Sequence, residues 1–218
     1  KREIEKNKKY KKKMMFPLKK YSKVINYYKD YIKSLNEVLN RIDEKKIEQA
    51  ASLIEKKIKL KKNIFLCGNG GSASIANHYV ADYFKLLRSG TNLKPKFISL
   101  VSNIELITAI SNDIKYEDIF SYQLETLGNK EDLIILISSS GNSKNLVKAI
   151  NTAKKLKMHS ISFIGFNGGA IKNKSDIFIH SKMENYGITE DSAHILMHII
   201  TQFLRQKNLT KNFKKIKF

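Results

Sequence analysis

Five ionisable side chains stand at one-turn spacing on two helical stretches of the sequence. His78 and Asp82 are four residues apart and so share a helix face. Glu190, His194 and His198 follow one another at the same interval, each about 40° further round. Such a set could supply an acid–base pair, and a histidine pair at i, i+4 with carboxylates suits zinc or another divalent ion. Each residue also has a plainer use. His78 could be a half-buried helix residue, Asp82 a surface partner of Lys85, Glu190 a charge favouring its helix N-terminus, and His194 a core or surface histidine. His198, flanked by Met197 and Ile199, is the hardest to place without a polar partner.

Two loops could hold a substrate against them. The first is the turn in Asn63 to Asp82, where the apolar run Ile64 to Cys67 meets Gly68-Asn-Gly-Gly-Ser72 and a helical pattern. The run suits a strand buried on both faces of a parallel sheet. The glycines let the backbone approach a ligand, and Ser72 is expected as a helix N-cap where free N–H groups favour an anion. The lysine of a Walker loop is missing and the glycine spacing does not fit the dinucleotide fingerprint, so no nucleotide cofactor is expected. The second loop repeats the logic, with Leu133 to Ile137 leading into Ser138-Ser-Ser-Gly-Asn-Ser143. Hydroxyls at the carboxyl end of a strand offer neutral donors to a phosphate or to sugar hydroxyls. Asn69, Gly70, Gly71, Ser72, Ser138, Ser139, Ser140 and Ser143 are therefore the candidate binding residues.

The remaining elements alternate. Tyr21 to Leu39 reads as a helix carrying Val24, Tyr27, Tyr28, Tyr31, Ile32 and Leu35 at helical spacing, and Asp43 is expected to cap a second helix with Ile47, Ala50, Ala51, Ile54 and Ile58 on one stripe. Lys96 to Leu100 is a second strand. Asn103 caps a short helix, Asp113 follows at a loop, and Tyr116 to Leu127 is one helix. Ser143 begins a helix to about Leu156, Ser160 to Ile164 and Asp176 to Ile179 are strands, and the last helix spans Glu190 to Gln206. This predicts an α/β fold, a three-layer α/β/α domain with a parallel sheet of about five strands preceded by N-terminal helices. Residues 1–20 are expected as a basic disordered tail, 21–207 as one domain and 208–218 as a basic C-terminal tail.

The chain has 218 residues, 42% of them hydrophobic and 28% charged, as in a globular protein with one full core. No apolar run reaches the roughly 20 residues of a membrane span, and no apolar segment follows the basic start, so the expected compartment is the cytoplasm. Cys67 is the single cysteine and reads as a small residue ending a buried strand. The net charge is +21, yet residues 1–13 and 205–218 hold 12 of those excess charges, and only four of the 41 basic residues are arginine. Base readout leans on bidentate arginine, so nucleic acid is not expected as a partner, and the charge is expected to attract anionic substrates.

Cys67-Gly-Asn-Gly-Gly-Ser72, Ser111-Asn-Asp113 and Ile137-Ser-Ser-Ser-Gly-Asn-Ser143 closely resemble the sugar isomerase (SIS) domain, and within it the phosphoheptose isomerases. The resemblance covers about Ser22 to Leu204. It implies an aldose–ketose isomerase of a phosphorylated sugar, sedoheptulose 7-phosphate foremost, that works as a homo-oligomer, typically a tetramer. It further implies that Asp82, His198 and Glu190 are catalytic. His78, Asp82, Glu190 and His198 would be the metal set, for Zn2+, and Asp113 joins the two loops in binding substrate. Three positions depart from the family pattern: Asp82 stands for a glutamate, Glu190 for a glutamine, and Leu86 for an arginine. Asp82 and Leu86 favour the alternative of a non-catalytic SIS domain that binds a sugar phosphate or a protein partner.

Overall fold

The computed structural model describes residues 15–210. Residues 1–14 of the expected disordered N-terminal tail and residues 211–218 of the expected basic C-terminal tail lie outside the described residues. Two helices come first, α1 (Val24–Leu39) and α2 (Glu44–Lys59). Asp43 caps α2 as expected, accepting from the Lys45 N–H at 3.0 Å. On α1 the buried stripe is narrower than the spacing suggested. Tyr27, Tyr31 and Leu35 pack with Phe16, Val38, Met183 and Ile188, whereas Val24, Tyr28 and Ile32 face outwards. Phe16, inside the segment expected as tail, is buried in that cluster.

Five parallel strands form one sheet in the order β2-β1-β3-β4-β5, with helices on both sides. They are β1 (Asn63–Gly68), β2 (Lys96–Ser99), β3 (Leu133–Ser138), β4 (His159–Ile164) and β5 (Ile177–His180). The apolar runs of β1 and β3 are buried almost throughout, as central strands covered on both faces must be. The chain leaves β1 towards one edge to form β2, then returns to the other side of β1 to form β3. The reversal creates a switch point between β1 and β3, whose register pairs Gly68 with Ile137. Both expected ligand loops therefore leave the sheet side by side.

The remaining helices are α3 (Gly71–Ala81), α4 (Ile104–Asp113), α5 (Ser121–Leu127), α6 (Lys144–Lys155), the single turn α7 (Gly169–Lys172) and α8 (Tyr186–Lys207). Several boundaries differ from the sequence reading for local reasons. Gly70, at φ 55°, occupies the cap position of α3, so Ser72 lies inside the helix. Asp113 ends α4 instead of standing in a loop. The stretch from Tyr116 splits into a 3-10 turn over Tyr116–Asp118 and the separate α5. The last helix starts four residues early because the Asn185 side chain accepts from the Ile188 N–H at 2.8 Å and caps it. Beyond α3 the helix widens into a π-helical segment, Asp82–Leu87, a local form frequent at functional sites. Among the described residues, no helix is long and apolar enough to cross a membrane.

Candidate functional site

The tips of the β1 and β3 loops enclose a cavity of about 330 Å3. Asn69, Gly70, Gly71, Ser72, Ser138, Ser139, Ser140 and Ser143 all line it, together with Glu190 and Tyr186. Asp113 does not join that lining. It is exposed at the end of α4 and accepts from the Asn112 side chain at 2.8 Å.

Asn145, buried in the first turn of α6, fixes the spacing of the two tips. Its amide and that of Asn69 hydrogen-bond reciprocally, Asn69 Nδ2 to Asn145 Oδ1 at 3.0 Å and Asn145 Nδ2 to Asn69 Oδ1 at 2.9 Å. Tyr116 adds a third bond, donating to Asn69 Oδ1 at 3.1 Å. The serine loop is held from its other side, where Thr189 Oγ1 donates to Ser139 Oγ at 2.7 Å. A side chain at Gly71 would push the Glu190 carboxylate out of its present position.

Helices α3 and α8 run side by side in the same direction. Ser72 Oγ donates to Glu190 Oε1 at 3.3 Å near their starts, and His78 meets His198 further along, their Nε2 atoms 3.1 Å apart. Asp82 Oδ2 lies 3.5 Å from His78 Nε2 and 3.3 Å from His198 Nε2. His194 completes the group, stacked on His198 with ring centroids 4.7 Å apart. One nitrogen from each of His78, His194 and His198 falls within a sphere of ligand atoms no more than 4.8 Å apart. Burial first, and then the neighbouring His198 and His78, push His194 below the ordinary imidazole value, which favours the neutral form a metal ligand needs.

The donor set fits a divalent cation. Asp82 Oδ2 and His194 Nε2 are both buried without a hydrogen-bond partner among the described residues. The two imidazoles near Asp82 are within ion-pair distance, yet Asp82 Oδ2 accepts no hydrogen bond among the described residues. Such orphaned atoms cost free energy unless something fills the space between them. Glu190, expected in the metal set, stands one turn from His194 and reaches Ser72, so the three imidazoles gather without it.

His78, Asp82, His198 and the loop residues are where spacing placed them. His194 belongs to the five-residue set that the spacing picks out but not to the metal set that the resemblance implies, and the sequence reading does not single out Asn145, Thr189, Tyr116 or Tyr186. A signal existed for two of them: His194 shares the one-turn spacing of His198, and Asn145 is a polar residue on the face that α6 turns inwards.

The chain matches the SIS domain family over residues 26–165. It is 37% identical over 169 residues to a phosphoheptose isomerase of Helicobacter pylori strain P12, covering 76% of this chain and 86% of that one. With a phosphoheptose isomerase of Clostridium acetobutylicum it shares 34% identity over 187 residues, 84% of this chain and 95% of the relative. A solved phosphoheptose isomerase from Neisseria gonorrhoeae superposes with a TM-score of 0.77 at 27% identity, covering 84% of this chain and 97% of that one. The chain belongs to the SIS domain family and, within it, to the phosphoheptose isomerases.

Proposed function

We infer that this sugar-phosphate isomerase converts sedoheptulose 7-phosphate into a heptose 7-phosphate. The observation that carries the reading is the junction of the two loop tips, a cavity of about 330 Å3 that opens beside Glu190 at one end of the α3–α8 pair. Further along the same pair stand Asp82 and three imidazoles. Hydroxyls of Ser138, Ser139, Ser140 and Ser143, with the N–H groups at the start of α6, hold the phosphate. Asn69, Ser72 and Glu190 take sugar hydroxyls, and Asp113, at the exposed end of α4, is a further binding residue for a substrate that reaches beyond the cavity.

Asp82 is the base. It removes a proton from C1 while His198 protonates the carbonyl oxygen at C2, giving a 1,2-enediol. Return of the carbon proton to C2, with the O1 hydroxyl proton going back to His198, yields the aldose. Glu190, at the substrate end, orients the hydroxyls that flank the reacting carbons. His78, Asp82, His194 and His198 are also the residues that would hold zinc or another divalent ion, which, when bound, would polarise the substrate oxygen as a Lewis acid in place of proton donation by His198, leaving the second Asp82 oxygen as the base.

The assembly is a homo-oligomer, and a tetramer is proposed, working on a soluble sugar phosphate in the cytoplasm. Its support is an apolar face on α1, where Val24 is 85% exposed and Ile25, Tyr28 and Ile32 stand beside it. Light scattering of the full chain tests this, with a monomer as the contrary result. The activity itself is tested by nuclear magnetic resonance of sedoheptulose 7-phosphate with and without added zinc.

A further inference from the structure

A second cavity, of about 360 Å3, opens where the end of β5 meets the start of α2. Arg41, Lys46, Lys172 and Lys182 line it, and the single carboxylate in the lining, Asp43, is engaged as the cap of α2. Lys46 and Lys172 are half-buried and converge on one ring, their Nζ atoms 5.7 and 5.4 Å from the Phe178 centroid. Among the described residues, no carboxylate pairs with Lys172 or Lys182. Among the described residues, the one carboxylate paired with Arg41 is Glu37, in a loose surface contact at 3.7 Å. Burial first, with the fields of Lys172 and Lys182 adding to it, holds the neighbouring His180 below the ordinary imidazole value.

Like charges gathered against an apolar wall repel one another, and an entering anion removes that repulsion. The loop cavity is built on the opposite plan. Its lining, among the described residues, contains no lysine or arginine and offers hydroxyls and backbone N–H groups instead. The two cavities thus differ in the anion each would select.

We propose that the β5–α2 cavity is a second, non-catalytic site for an organic diphosphate of nucleotide size. Four cations against one carboxylate leave an excess of three, whereas a phosphate monoester brings at most about two negative charges. A diphosphate meets the excess, and the apolar wall of Val38 and Phe178 takes its organic part. The volume lies within the range of small-molecule sites, about 300–1,000 Å3. Lys182 stands three residues before Asn185, so the ligand would touch the segment that leads into α8.

Calorimetric titration of the full chain with ADP, pyrophosphate and inorganic phosphate tests the proposal. ADP is expected to bind saturably and tighter than pyrophosphate, with an affinity that falls steeply with salt. Lys172→Glu and Lys182→Glu should each weaken ADP by about tenfold or more, a loss of about 1.4 kcal/mol, while unfolding midpoint and isomerase turnover stay unchanged. Ser140→Ala should leave ADP binding intact. Absence of saturable binding at millimolar ADP, or indifference to both lysine changes, overturns the site. Loss of ADP binding in Ser140→Ala instead assigns it to the loop cavity, and pyrophosphate binding as tight as ADP overturns the nucleotide assignment. None of these failures touches the isomerase reading, which turnover reports separately.

Discussion

The hydroxyl of Tyr79 on α3 donates to the carbonyl oxygen of His194 on α8 at 2.5 Å. Tyr79 is fully buried, and burial holds its phenol proton on as a fixed donor. One side chain therefore ties together the two helices that carry Asp82 and the three imidazoles. Tyr79→Phe keeps the packing and removes the tie. We expect a stability loss of about 1 kcal/mol, read by urea unfolding, and a weaker affinity for zinc, read by competition with a chelating dye.

Asp82→Asn removes the proposed base and His198→Ala the proposed proton donor. Each should lower turnover by about 10²- to 10⁴-fold with the circular dichroism spectrum unchanged. Unchanged turnover in either variant would remove that residue from the mechanism.

His194→Ala separates the three-imidazole grouping from one that excludes His194. The buried Nε2 of His194 has no other partner among the described residues, so its loss should reduce bound zinc at equilibrium by about tenfold or more. Elemental analysis after dialysis measures this, and full metal content in the variant would leave His194 a packing residue.

Asn145→Leu breaks the amide pair that spaces the two loop tips. Since Asn145 does not line the loop cavity, the substitution acts through Asn69. KM for the sugar phosphate should rise about tenfold or more with a smaller change in kcat, and Asn145→Gln should recover part of it. Equal loss in kcat and kcat/KM would point instead to a role in the transition state.

Glu55, buried on α2, accepts from Lys207 and Lys59 at 2.7 Å each and from Asn208 at 3.1 Å, which anchors the end of α8. The Lys207 bond first, and the Lys59 bond next, lower its carboxyl from the ordinary 4.5 to about 2. A depressed pKa contributes stability above about pH 4.5 that is lost as pH falls towards 2. Glu55→Gln should cost about 1 kcal/mol at pH 7, because the lysine heads are half exposed and screened, and should flatten the acid limb of a urea-midpoint profile.

Much of this arrangement is legible in one dimension. Ile64 to Cys67 and Leu133 to Ile137 are apolar because central parallel strands are covered on both faces, and the glycine and serine turns that follow mark their ligand ends. The pairing of α3 with α8 is not legible, since spacing along each helix says nothing about the other. That is why the spacing groups Glu190 with the imidazoles although it reaches Ser72, and why it cannot tell which of His194 and Glu190 meets His78. Asn185, the cap that starts α8 early, is obscured by Gly187 and the β-branched Ile188 and Thr189. The clasp of Asn145 on Asn69 joins residues 76 apart and has no local signature.

The most direct test follows sedoheptulose 7-phosphate by nuclear magnetic resonance in the presence of the zinc-loaded chain and of its Asp82→Asn variant. An aldose anomeric signal should grow with the native chain, with exchange of the migrating proton for solvent deuterium, and be absent with the variant. A sugar phosphate that binds yet never yields the aldose, or equal conversion by both proteins, would contradict the account.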